Sequence, residues 1–213
     1  MTDTGTLPVT SPDRRPLVAL YAGSFDPVTH GHEDLIKRTL TFADRLIVAV
    51  AHNVNKQPLF TVEERMHFIR EVTGNDPRIE VRSFRGLLVD FARDTGARVN
   101  VRGLRAVSDF EYEFQIALMN RHLRPELETV FMTPSLDTTY ISSSMVREVA
   151  RFNGDVSGLV HPLVGDALMT RYAAMRAAGE LPPLPATAKG GTPTGSAETG
   201  NAETGNTETG RSL

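Results

Sequence analysis

The sequence contains no cysteine. Disulfides, thiolate metal sites and a cysteine nucleophile are therefore excluded, and the absence fits a reducing compartment. No apolar run approaches the ~18–20 residues of a membrane-spanning helix. Met1–Pro16 is polar throughout, so no signal peptide is expected there. Basic charge is not in excess either. The 213 residues carry a formal net charge of −3 at pH 7, which leaves no footprint for non-specific nucleic-acid binding. Two phosphate-loop signatures are missing: neither Gly-x-x-x-x-Gly-Lys-Ser/Thr nor Gly-x-Gly-x-x-Gly occurs. His30 and His32 stand two residues apart with no third partner at helical spacing, so no protein-ligated metal is expected. Lysine is scarce as well. Among 23 basic residues only Lys37, Lys56 and Lys189 are lysines, and a lysine in an arginine-rich chain marks a candidate place for a compact point charge.

What is present fits a globular domain with polar ends. Hydrophobic residues make up 40% and charged residues 23%, near the average for soluble domains. Residues 1–15 offer little to bury and read as a disordered lead-in. Residues 182–213 read likewise and contain a five-residue repeat at Ser196–Gly200, Asn201–Gly205 and Asn206–Gly210. That repeat is too short for a solenoid unit. Residues 16–181 form the expected domain.

Within that domain strands and helices alternate. Leu17–Ala22 and Arg45–Ala51 are short apolar runs, as strands buried on both faces should be. Arg78–Phe84, Arg98–Arg102 and Thr129–Met132 complete five strands. Helices are expected at His32–Phe42, from a Thr61-Val-Glu-Glu64 capping box to Val72, and at Leu87–Asp94 with Gly96 as its cap. A Ser108-Asp-Phe-Glu111 capping box opens another to Leu123, and Ser143–Phe152 and Pro162–Ala178 close the domain. The pattern predicts an α/β fold, a doubly wound, five-stranded parallel sheet of Rossmann-like type with C-terminal helices. In such folds ligands bind beyond the carboxyl ends of the strands. Those ends are Gly23–His32, His52–Gln57, Arg85–Leu88, Gly103–Asp109 and Thr133–Ser144.

These stretches carry the chemistry. In Tyr21-Ala-Gly-Ser-Phe-Asp-Pro-Val-Thr-His-Gly-His32, Gly23 and Gly31 permit close backbone approach. The helix that follows presents unpaired N–H groups to an anion, and His32 in its first turn can donate to a phosphoryl oxygen. Arg102 and Arg105 at a strand end suit a fork-like grip on phosphate. Glu113 could accept from an adenine amino group or a ribose. Ser142, Ser143 and Ser144 precede a helix. One of them must cap it, which leaves the others for phosphate.

Taken together, Gly-Ser-Phe-Asp-Pro-Val-Thr-x-Gly-His, Phe60-Thr-x-Glu-Glu-Arg65, Arg102-Gly-Leu-Arg-Ala106, Asp109-Phe-Glu-Tyr-Glu113, Met119-Asn-Arg-His122 and Ile141-Ser-Ser-Ser144 resemble the nucleotidyltransferase superfamily. Within it, the bacterial phosphopantetheine adenylyltransferase family is the best match, from about Leu17 to Ala178. Ala22, Ser24 and His30 depart from the family's common Pro, Thr and Asn without removing a needed group.

The resemblance implies roles by position. Ser24 would meet both ATP and acceptor, and Phe25 would lie against ATP. His32 would stabilise the transition state at the α-phosphate, and Lys56 and Arg105 would share in catalysis. Lys56, Leu88 and Arg102 would hold the phosphopantetheine arm. Gly103, Leu104, Arg105, Glu113, Thr138, Thr139, Tyr140, Ile141, Ser142, Ser143 and Ser144 would join His32 at ATP. It further implies magnesium, a homohexamer, and a place in coenzyme A synthesis in the cytoplasm, with coenzyme A a candidate feedback ligand. The expected reaction gives dephospho-coenzyme A and pyrophosphate. A different acceptor, such as nicotinamide mononucleotide or glycerol 3-phosphate, or a non-catalytic nucleotide sensor, are the rival readings.

Overall fold

The computed structural model describes residues 15–52, 57–105 and 107–184. Lys56 lies outside them. The fold is that of the unit Met1–Pro182; of the second unit, Pro183–Leu213, only residues 183 and 184 are described.

Eleven elements alternate along the described residues: β1 Val18–Gly23, α1 His30–Thr39, β2 Arg45–Ala51, α2 Val62–Val72, β3 Ile79–Phe84, α3 Leu88–Thr95, β4 Val99–Gly103, α4 Val107–Leu123, β5 Glu128–Met132, α5 Ser143–Arg151 and α6 Pro162–Ala177. The five strands are all parallel, in the order β3-β2-β1-β4-β5. The α/β doubly wound sheet read from the sequence is the one observed.

The two-residue period of a strand explains why β1 and β2 are apolar throughout. Ala19, Tyr21, Leu46, Val48 and Val50 enter one core with Leu35, Phe68, Val146 and Leu168 of α1, α2, α5 and α6. Leu20, Ala22, Ile47 and Ala49 enter a second core with Val89 and Ala92 of α3. Each alternate side chain thus has a buried destination, on opposite faces of one sheet. The order reverses between β1 and β4, so the crevice between connections leaving that pair opens at Gly23 and Gly103.

Two helix starts differ from expectation. Helix α1 begins at His30, not His32, with Thr29 as its N-cap, and stops at Thr39. Helix α4 begins at Val107, so Ser108 lies inside the first turn rather than before it. Leaving β4, Leu104 N–H donates to the Met132 carbonyl at 2.9 Å. By contrast the Thr61 box forms as read: Glu64 N–H donates to Thr61 Oγ1 at 3.2 Å, and Thr61 N–H to Glu64 Oε2 at 2.8 Å.

Candidate active site

A cleft of about 490 Å³ lies over the carboxyl ends of β1 and β4. Its floor is the β1–α1 connection. Gly23 lets the chain pass close to the Phe25 ring: a Cβ there would come 3.1 Å from it, and the ring would have to give by a few tenths of an ångström. Phe25 itself has φ 47°, in the left-handed region, at a cost of roughly 1–2 kcal/mol for an L-residue. It is held in that conformation by burial and by edge contacts to Tyr21 and His32, with ring centroids 5.3 and 5.1 Å away.

His32 stands at the third position of α1, where a capping box usually has Glu or Gln. Its Nδ1 accepts the Thr29 backbone N–H at 3.0 Å. That bond requires an unprotonated Nδ1, so the neutral ring carries its proton on Nε2, which is left to donate into the cleft. Burial, with the charge of Arg105 second, pushes the His32 pKa down to about 4. The ring is therefore a neutral N–H donor at physiological pH.

The walls are basic. Arg65, Arg102, Arg105 and Arg147 line the cleft against the carboxylates Asp26 and Glu113. Arg65 is buried and spends its donors on the Ser24 carbonyl at 2.7 Å and the Thr61 carbonyl at 3.2 Å. Arg102 is clasped by Glu113 through two bonds of 2.7 and 2.5 Å, and donates a third to the Ala22 carbonyl. The fork expected to be open to phosphate is thus already paired, and its partner is the carboxylate expected at the nucleotide.

Asp26 joins three elements. Its carboxylate accepts from the backbone N–H groups of Leu59 and Phe60, at 2.9 and 3.0 Å, and from Arg147 of α5 at 3.1 Å. Arg147 also donates to the Asp26 carbonyl. One turn earlier on α5, Ser143 Oγ donates to the Pro27 carbonyl at 2.8 Å. Ser142 caps α5 by accepting Met145 N–H at 3.1 Å. Ser144, exposed at the cleft wall, has no protein partner among the described residues. The three serines thus divide as cap, tether and open hydroxyl. Because Asp26 is 5% exposed, Asp26→Asn is expected to lower stability by about 1–3 kcal/mol, with one amide N–H group facing donors in place of an acceptor. Thermal unfolding of the variant checks this.

Most residues singled out in the sequence converge here: Ser24, Phe25, His32, Arg102, Gly103, Arg105, Glu113, Thr138, Ile141 and Ser142–Ser144 all line the cleft. Four do not. Leu88 starts α3 and packs against the second core. Leu104 ties β4 to β5 through its backbone. Thr139 and Tyr140 are not among the lining residues, and Tyr140 is exposed. Lys56 lies outside the described residues, and Gln57 beside it lines the cleft. Sequence reasoning missed Asp26, Arg65, Tyr112 and Arg147, which also line it.

The model of the cytidylyltransferase-like family matches residues 20–149. The phosphopantetheine adenylyltransferase of Bordetella pertussis is 57% identical over 148 residues, covering 70% of this chain and 88% of that protein. That of Bordetella avium is 53% identical over 164 residues, covering 77% and 98%. That of Thiobacillus denitrificans is 53% identical over 152 residues, covering 71% and 95%. The chain belongs to the phosphopantetheine adenylyltransferases. It is a nucleotidyltransferase. Among solved structures, Plasmodium falciparum nicotinic acid mononucleotide adenylyltransferase complexed with NaAD has a TM-score of 0.57 at 16% identity, over 75% of this chain and 98% of that one. At that identity the likeness speaks for the fold.

Membership in the phosphopantetheine adenylyltransferases also frames the metal question. Among the described residues no three His, Asp or Glu side chains converge to hold an ion. The two carboxylates at the cleft are already engaged, Asp26 by N–H donors and Glu113 by Arg102. Among the described residues, the cleft carboxylates do not fit a resident magnesium site. No helix among the described residues is long and apolar enough to cross a membrane.

Proposed function

We propose that this nucleotidyltransferase moves the adenylyl group of ATP onto 4′-phosphopantetheine, giving dephospho-coenzyme A and pyrophosphate in coenzyme A synthesis. The observation that carries the reading is the fixed neutral His32 N–H, placed in one cleft with Arg105 and the serine-capped start of α5. A phosphomonoester has its second pKa near 6 and is mostly a dianion at pH 7. It needs no general base. Its oxygen forms a bond to the ATP α-phosphorus, the bond to the β-bridging oxygen breaks, and pyrophosphate leaves with the electron pair.

The difficulty is charge. Two unit charges 4 Å apart interact by about 4 kcal/mol at an effective dielectric of ~20. Positioning and electrostatic neutralisation are what phosphoryl transfer asks of a protein. Arg105, the N-terminus of α5 and the Ser144 hydroxyl suit the ATP phosphates, while Lys56 and Arg102 are assigned to the acceptor. Magnesium would arrive as part of the ATP complex, held by phosphate oxygens, and no step is assigned to it. The remaining assignments are a cytoplasmic setting, coenzyme A as a feedback ligand, and a homohexamer. The last is supported by α4, which exposes Phe110, Phe114, Leu118 and Met119 to solvent.

Pyrophosphate release from ATP and magnesium, assayed with 4′-phosphopantetheine, with nicotinamide mononucleotide and with no acceptor, tests the reading. Release is expected with phosphopantetheine alone. Release with nicotinamide mononucleotide instead would keep the mechanism and move the substrate. ATP binding without any release would point to a nucleotide sensor.

A further inference from the structure

Tyr21 lies in the carboxyl half of β1 and lines the cleft, yet it is only 6% exposed. Its ring is fixed edge-on against Phe25 and lies 6.3 Å from the His32 ring. Its hydroxyl points toward the end of β4, 3.9 Å from where a Cβ on Gly103 would stand. No protein group meets that hydroxyl with a hydrogen bond among the described residues. A phenylalanine would fill the same space in the core, so packing does not account for the oxygen. Buried tyrosine hydroxyls find a partner as a rule. The charged groups around this one are Arg102, Arg105 and Glu113.

We propose that Tyr21 Oη is a substrate contact, donating a hydrogen bond to a phosphoryl oxygen bound between His32 and Gly103. The inference rests on the adenylyl-transfer reading above. The oxygen belongs either to the ATP α-phosphate or to the acceptor phosphate, and the two share the chemistry that recognises them. A phenol suits this place because it stays a donor. Burial raises its pKa far above the ordinary value, outweighing the opposite pull of Arg102 and Arg105. It adds a hydrogen bond to the phosphoryl group without a further fixed charge beneath His32.

Tyr21→Phe removes one oxygen and keeps the ring. A hydrogen bond to a charged group is expected to matter by roughly ten- to a hundredfold. The variant is assayed beside the unaltered protein for kcat and both KM values, and titrated separately with ATP and with 4′-phosphopantetheine. A loss confined to ATP affinity places the oxygen on the nucleotide, and a loss confined to phosphopantetheine places it on the acceptor. A lower kcat with both affinities kept places the bond in the transition state. The melting temperature is expected to hold or rise, since the hydroxyl has no protein partner to lose. Unchanged kcat and unchanged affinities would overturn the proposal. So would a marked drop in melting temperature, which would give the hydroxyl a structural role. If the unaltered protein bound both ligands without turnover, the adenylyl-transfer reading would fail while the affinities still decided the contact.

Discussion

His32→Ala is expected to lower kcat by about two to three orders of magnitude and also to loosen the start of α1. The two losses have separate causes. The rate depends on Nε2–H, the group presented to developing charge on the transferring phosphoryl. The stability depends on Nδ1, which accepts Thr29 N–H. Removing a helix-start partner costs about 1 kcal/mol. His32→Gln separates them, because a glutamine at this position can still accept the Thr29 N–H. It is expected to recover the melting temperature and to stay about tenfold or more below the native kcat. A glutamine variant with full activity would sink the proposed role of the imidazole.

The pH profile follows from the same ring. With its pKa pushed down to about 4, His32 does not titrate between pH 5 and 7 in the folded protein. The acid limb of kcat/KM is expected near pH 6, where the acceptor phosphate takes its second proton, and His32→Gln should show the same limb. Stability behaves differently. The unfolded chain binds a proton at this histidine near pH 6.5 and the folded chain only near 4, so the contribution of the neutral ring is full above 6.5 and is lost as pH falls toward 4. The native protein should therefore lose more stability than His32→Gln over that interval.

Much of this was legible from spacing alone. The apolar runs at 17–22 and 45–51 predict central strands because both faces of the sheet are covered, and each alternate residue does find a core. The Thr61 box is legible because its bonds span three residues. The Thr29–His32 box obeys the same spacing, but a histidine at its third position does not read as a cap. Asp26, Arg65 and Arg147 were missed for a reason of distance: the Arg65 bond to Ser24 spans 41 residues and the Arg147 bond to Asp26 spans 121. Only the folded sheet brings those partners together. Helix α4 is the other gap. Glu113 reaches Arg102 of β4 and Asn120 is buried, while Leu118 and Met119 are exposed and Phe110, though 42% exposed, meets Phe131 of β5 edge-on, so the apolar side chains of this helix are only in part buried within its own domain.

Arg102→Ala is expected to be the most damaging of the arginine substitutions, by about a hundredfold or more in kcat/KM for the acceptor. The native pair is partly buried, its side chains 25% and 13% exposed. Deleting the cation leaves Glu113 negative, poorly solvated and beside a cleft that must admit two polyanions. Breaking one half of a buried pair costs about 3–5 kcal/mol, mostly through the stranded charge, and the partial exposure here lowers that figure. Glu113→Gln alone strands nothing of like sign to the substrates. It leaves Arg102 its bond to the Ala22 carbonyl and is expected to be the milder change. Arg102→Ala/Glu113→Gln removes the stranded carboxylate, so it should melt above Arg102→Ala although it carries one more substitution, while acceptor binding stays weak for want of the guanidinium. A double-mutant cycle on melting temperature and kcat/KM measures the coupling. If Arg102→Ala and the double variant melted together, Glu113 would be solvated well enough without its arginine, and the clasp would be a bystander to anion binding. If they separate as expected, Glu113 holds Arg102 in place between substrates, and an incoming phosphate must share a guanidinium that the carboxylate already orients.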